Sequence, residues 1–320
     1  MQRTPHATRS DLRERPAGFT LLELLVVIGV ISVLFGIGIG FLGKTDPERV
    51  AAAVLAGELR AAQMTARAEG VPTEVWVRPG LDGAAGTVQA RLLEPAATFH
   101  LEPGERWLAD VPRPQLAGED VPGGRFGHAL RSTAGERQPL LRFPLQPARV
   151  DLTGGFVVRL DLRLEERRAA TVLRLGKAAE VMLDDELRAH ARLRLRGAGG
   201  ATTLASVERT VPLPLDAWCT LEVACDGRAA WIAVDGRELS RSVVDGSILQ
   251  EDDTALEISP PESPIPGLVD EVRLSVFAFA PAQLLPAELQ PRTSYRLGFD
   301  TRGEPLDGPK VEFVLPEELP

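Results

Sequence analysis

Hydrophobic and polar positions divide the chain into three regimes. Residues 18–43, GFTLLELLVVIGVISVLFGIGIGFLG, are apolar at almost every position, and Glu23 is the only ionisable group among them. As a helix, the stretch 19–41 measures about 35 Å, enough to cross a hydrocarbon core. Asp46 followed by Pro47 reads as an N-cap with proline at the first helical position, so the helix breaks or kinks near 43–47 and then resumes. Val50, Val54, Leu55, Leu59 and Ala62 recur near helical spacing, which predicts an amphipathic continuation ending at about Gly70.

Beyond Gly70 the period changes to two. VPTEVWVRPG, GTVQARLLEP and TFHLEPG are short alternating runs split by Gly and Pro, and read as separate strands. In LTGGFVVRLDLRLE, Phe156, Val158, Leu160, Leu162 and Leu164 share one face. WCTLEVACDGRAAWIAVDGREL carries Asp226-Gly227 as a two-residue hairpin signal. That turn pairs Val223 with Ala230, Leu221 with Ile232 and Cys219 with Val234, with Glu222 and Trp231 on the opposite face. TSYRLGFDTRGEPLDGPKVEFVLPEE predicts a strand, a turn at 300–303 and a last strand near 310–315 that closes a hairpin.

Composition changes this picture only slightly. Across 320 residues, 36 Lys+Arg face 45 Asp+Glu, a formal charge of −9, which argues against a phosphate-binding surface, so no nucleic-acid partner is expected. Thirty Gly and 26 Pro fit many turns and short strands. Cys219 and Cys225 lie in one predicted strand about 20 Å apart, beyond the roughly 4.4 to 6.8 Å of a disulfide, and read as buried apolar thiols. The leader holds Arg3, Arg9, Arg13 and Arg15 against Asp11 and Glu14, so it stays cytoplasmic and the remainder is exported. An intramembrane carboxylate costs a few kcal/mol and calls for a partner. A free amine created by cutting at Gly18 would supply one.

The run G-FTLLELLVVIGVISVL resembles the class III leader and methylation site of type IV pilins and type II secretion pseudopilins. The resemblance implies that prepilin peptidase cuts between Gly18 and Phe19, that the new Phe19 amine is N-methylated, and that Glu23 neutralises that amine on a neighbouring subunit in a filament. The C-terminal strands resemble the closing hairpin of minor pseudopilins of the H group. Head and tail of one pilin-type sheet would then be separated by an insertion. That insertion, with GRFGHAL at its start, the WCTLEV and IAVDG core, and GLVDEVRLSVFAFAPAQLLPAEL at its close, resembles laminin G-like, concanavalin A-like jelly rolls.

The expected fold is therefore α+β: a long N-terminal helix with a pilin-type antiparallel sheet, plus an all-β jelly-roll sandwich. The expected division is leader 1–18, transmembrane and amphipathic helix 19–70, first sheet strands 71–119, jelly roll 120–289 and closing strands 290–320. The expected role is a non-enzymatic minor pseudopilin of a type II secretion pseudopilus or related filament, held in the inner membrane by one pass with its body in the periplasm. Its partners would be prepilin peptidase, other pilin or pseudopilin subunits, the inner-membrane assembly platform, the membrane itself, and an exported protein or glycan. The alternative is a type IV pilus-associated adhesin whose jelly roll grips glycan or protein. An anchored glycan hydrolase lacks the Glu-x-Asp-x-x-Glu strand motif that would hold paired carboxylates.

No cofactor is expected beyond calcium, for which Asp270, in LVDEV, is the candidate ligand. The acidic runs 184–186 and 251–253 read as solvated turns. The scattered histidines His6, His100, His128 and His190 give no metal spacing. Of Trp76, Trp107, Trp218 and Trp231, the last is the candidate ligand surface, because the derived register sends it off the buried face.

Overall fold

The computed structural model describes residues 46–80, 84–102, 112–133, 137–197, 199–208, 211–308 and 310–315. The apolar span 19–41 and the motif residues Gly18, Phe19 and Glu23 lie outside them, as does Trp107. Among the described residues no helix is long and apolar enough to cross a membrane.

Helix α1 (Pro47–Glu69) opens the described chain. The strands that follow are β1 (Thr73–Arg78), β2 (Thr87–Phe99), β3 (Gln115–Leu116), β4 (Glu119–Gly124), β5 (Gly127–Arg131), β6 (Leu141–Pro144), β7 (Phe156–Leu164), β8 (Ala170–Leu175), β9 (Ala179–Leu183), β10 (Ala189–Arg196) and β11 (Thr202–Glu208). After these come β12 (Trp218–Cys225), β13 (Ala229–Val234), β14 (Arg237–Val243), β15 (Ser247–Ile248), β16 (Ala255–Ile258), β17 (Gly267–Phe279), β18 (Gln283–Leu284), β19 (Gln290–Pro291), β20 (Tyr295–Phe299) and β21 (Phe313–Val314). The fold is mostly a β-sandwich.

One sheet runs β14-β13-β12-β7-β17-β2-β1-β20, the other β11-β10-β9-β8-β16-β6-β3. Between them the inward side chains of β7, Phe156, Val158, Leu160, Leu162 and Leu164, are fully buried with Leu173, Val181 and Leu193 of the facing sheet. Each such side chain contributes about 1.5 to 3 kcal/mol through removal of apolar surface from water. The alternation read in the sequence is thus the inner face of a sandwich.

Helix α1 starts where the Asp46 side chain accepts the Glu48 amide, with Pro47 in the first turn, and ends at Gly70 in the left-handed region, φ 64°. Its buried positions Ala51, Ala62 and Ala66 pack on Val75, Val77, Val88, Ala90, Tyr295 and Phe299. Three alanines at the contact let the helix approach the β2-β1-β20 corner closely. That corner is continuous with the sandwich, because β17 pairs with β7 on one side and with β2, from Val272 to Phe279, on the other.

Three strand expectations need correction. TFHLE is not a separate strand: β2 runs unbroken from Thr87 to Phe99, because Pro95, which lacks an N–H, stands opposite Ser275 where the partner strand shifts register. The last strand does not close a hairpin on β20, since β21 pairs with β19 and β20 pairs with β1. The turn at 300–303 does form, with the Gly303 amide donating to the Asp300 carbonyl. The β12–β13 register is displaced by two residues from the derived one: Val223 faces Ile232, Leu221 faces Val234 and Cys225 faces Ala230. Asp226 Oδ1 accepts the amides of Arg228 and Ala229, so the loop itself is Gly227-Arg228, with Gly227 at φ 85°. A shift of two preserves the faces, so the same apolar stripe is buried.

Candidate functional site

Helix α1 is tied down at its far end: Gln63 Nε2 donates to the Gly303 carbonyl at 2.8 Å, and Thr73 Oγ1 to the Ala62 carbonyl at 2.8 Å. Arg159, on the outer face of β7, donates Nη1 to Glu69 Oε2 at 2.9 Å, Nη2 to the Glu69 carbonyl, and Nε to Glu222 Oε2 at 2.6 Å. Arg91 of β2 likewise donates to the carbonyls of Gly154 and Asp226 at one end of the sandwich. The helix end and the outer sheet face are therefore joined by ionic and carbonyl contacts as well as by the shared ladder.

Asp270 is wholly buried at a bulge between β17 and β7. Its Oδ2 accepts the Phe126 amide at 3.1 Å and its Oδ1 the Glu271 amide at 2.8 Å. Asp161 stands opposite on β7, where Arg125 Nη1 and Thr220 Oγ1 donate to it at 2.7 and 2.5 Å. Burial pushes both carboxyls above the ordinary value, against the pull of these donors. The expected calcium seat at Asp270 does not fit this geometry. Its Oδ2 is taken by the Phe126 amide of the hairpin tip and its Oδ1 by the Glu271 amide within β17, Asp161 is taken by a guanidinium and the Thr220 hydroxyl, and among the described residues no three His, Cys, Asp or Glu converge as metal ligands. What the pair does is pin the tip of the β4–β5 hairpin to the sandwich.

Trp231 lies on the face opposite the sandwich core, as derived, yet it is only 2% exposed. It packs with Val71, Leu93, Val157, Ala224 and Phe277, donates its indole Nε1 to Glu222 Oε1 at 2.8 Å, and carries the Arg241 guanidinium 4.8 Å from its ring centroid. The expected ligand-facing ring is thus corrected: Val71, just past the helix end, helps to cover it, and no sequence-local signal shows that packing. The acidic run 184–186 is a turn, as read, in which Asp184 Oδ1 accepts the Glu186 and Arg188 amides. Sequence reasoning missed Arg159, Arg125 and Arg91. For Arg159 and Arg91 the available signal was a charged residue within a largely buried strand, whereas Arg125 stands in the turn between β4 and β5, where no such signal exists.

Among solved structures, domain 4 of AbnA, a GH43 extracellular arabinanase from Geobacillus stearothermophilus in complex with arabinotriose, shares 17% identity at a TM-score of 0.35, over 51% of this chain and 78% of that one. Caenorhabditis elegans galectin LEC-6 shares 18% at 0.30, over 44% and 94%. A SAP-like pentraxin from Limulus polyphemus shares 11% at 0.34, over 46% and 73%. These are distant, jelly-roll-like neighbours. No curated protein matches the chain. Residues 14–39 match the Prokaryotic N-terminal methylation motif, so the N-terminus carries the signal of a type IV pilin-like or pseudopilin precursor, which implies processing by prepilin peptidase and assembly with pilin-type subunits.

Proposed function

We propose that the chain is a minor pseudopilin-like subunit of a type II secretion pseudopilus or a related filament. Prepilin peptidase cuts after Gly18, Phe19 becomes the methylated N-terminus, and the span 19–41 holds the subunit in the inner membrane with its body in the periplasm. The observation that carries the reading is Glu23, a lone carboxylate five residues after Gly18 inside an apolar span that matches the methylation motif. Its cost in a bilayer is offset when it meets the Phe19 ammonium of a neighbour.

The fused architecture supports a terminal or low-copy place. A sandwich joined to the helix-bearing corner through β17 and Arg159 cannot swing aside as a tethered module could, so each copy within a filament body would have to clear its neighbours. The proposal keeps the layout of a leader at 1–18, a helix over 19–70, pilin-type strands at 71–119 and 290–320, and a jelly roll at 120–289.

The test is cross-linking in native membranes. Glu23→Ala is expected to be cleaved at Gly18 normally but to lose cross-links to other pilin-type subunits. Unchanged cross-linking would refute the assembly role of Glu23.

A further inference from the structure

A cleft of about 660 Å³ lies between the end of helix α1, the outer face of the sandwich and the turn after β20. Its volume falls in the ordinary range for small-molecule sites, and such sites favour the seams between packed units. The floor is fixed: Trp231, Glu222 and Arg159 hold one another there by the bonds given above. The rim differs. Arg237, at the start of β14, and Arg302, in the turn after β20, line the cleft and are exposed, and neither guanidinium has a carboxylate, carbonyl or ring partner among the described residues. Over the whole lining, Arg67, Arg159, Arg237 and Arg302 face Glu69, Glu222 and Glu238, a small cationic excess on a chain of net charge −9, and it favours an anionic guest at the two unpaired arginines.

The rest of the lining narrows the class. Besides Trp231, whose ring is covered, no large apolar side chain lines the cleft, so a peptide would find no anchoring pocket. Instead Glu69, one third exposed, accepts on Oε2 from Arg159 and keeps Oε1 for a hydroxyl, and Thr301 also lines the cleft. Carboxylate acceptors beside guanidinium donors suit a polyol that also bears an acid group. We infer that this cleft binds an acidic saccharide, its carboxylate held by Arg237 and Arg302 and its hydroxyls by Glu69 and Thr301. The inference does not depend on the filament reading.

Titration calorimetry on the full chain in detergent, with trigalacturonate, neutral maltotriose and sodium sulfate as probes, tests it. Trigalacturonate is expected to bind saturably and more weakly at higher salt, since rim charges are screened. Arg237→Ala and Arg302→Ala should each weaken it about tenfold, the scale of one charge-assisted contact. The control Arg113→Ala/Arg167→Ala removes the same charge elsewhere and should leave binding intact. Three results would each overturn the inference: no saturable binding of trigalacturonate, equal binding of maltotriose or of sulfate, or binding indifferent to Arg237→Ala/Arg302→Ala in protein with an unchanged melting temperature.

Discussion

Arg159 and Glu69 join the end of the helix to the sandwich: Nη1 of one lies 2.9 Å from Oε2 of the other, and the same guanidinium reaches Glu222 at 2.6 Å. The two carboxylates differ in burial, with side-chain exposures of 33% for Glu69 and 9% for Glu222. Removing Arg159 strands the buried one. Arg159→Ala is expected to destabilise by about 2 kcal/mol, whereas Glu69→Ala costs about 1 kcal/mol or less. Arg159→Ala/Glu222→Gln, which removes the stranded charge but keeps an acceptor for the Trp231 indole, should recover part of the loss, and denaturant melts of the three variants measure it. Equal costs for Arg159→Ala and Glu69→Ala would contradict the account.

Two left-handed glycines separate conformational strain from collision. Gly70, at φ 64°, has open space where a Cβ would stand, so Gly70→Ala carries the left-handed penalty alone, about 1 kcal/mol. At Gly155, φ 115°, a Cβ would sit 2.3 Å from the Cys225 carbonyl oxygen and 2.9 Å from Asp226 Cα. Neither atom belongs to a side chain that can rotate away. Gly155→Ala should therefore cost more than about 3 kcal/mol, read as a larger drop in unfolding midpoint.

Asp270 and Asp161 give a pH signature of definite sign. Burial raises both carboxyls, so within the window from the unfolded value of about 3.9 up to the raised folded values the native state holds more protons than the unfolded one. Stability contributed by these groups is present below that window and falls as pH rises through it. Asp184 behaves oppositely. Burial alone would raise its carboxyl, but hydrogen bonds from Arg188, His190 and the Glu186 amide hold it well below the ordinary range, so its contribution is lost only under stronger acid. The midpoint of wild type relative to Asp270→Asn should rise as pH is lowered from about 7 toward 4. A constant difference would exclude the buried titration.

Cys219 and Cys225 are both buried on β12, and burial pushes the Cys225 thiol up to about 11. Thiol chemistry proceeds through the thiolate, so iodoacetamide at about pH 8 should leave Cys225 unlabelled until the chain unfolds. Intact mass with and without reductant should agree. Rapid labelling of the folded chain would show that the β12 face is open.

What the sequence discloses depends on whether the signal is local. The cap at Asp46, the stop at Gly70 and the inward face of β7 follow from spacing alone, and the structure has them at those residues. The β12–β13 faces were legible while the register was not, because parity follows from alternation whereas the loop is set by Asp226 accepting two amides. Asp270 reads as a ligand for want of knowledge that the Phe126 amide, 144 positions away, aims at it. Trp231 reads as exposed because Val71 and the helix end that help to cover it are far away in sequence. Both misreadings fall where partners come from other elements, which periodicity does not encode.

The central claim, that Gly18, Phe19 and Glu23 form a processing and assembly head, is tested most directly by the intact mass and N-terminal sequence of the membrane-bound protein, beside Gly18→Ala. The account predicts a chain beginning at a methylated Phe19, lost in Gly18→Ala. A chain that keeps Met1, or one cut beyond residue 43, would contradict it.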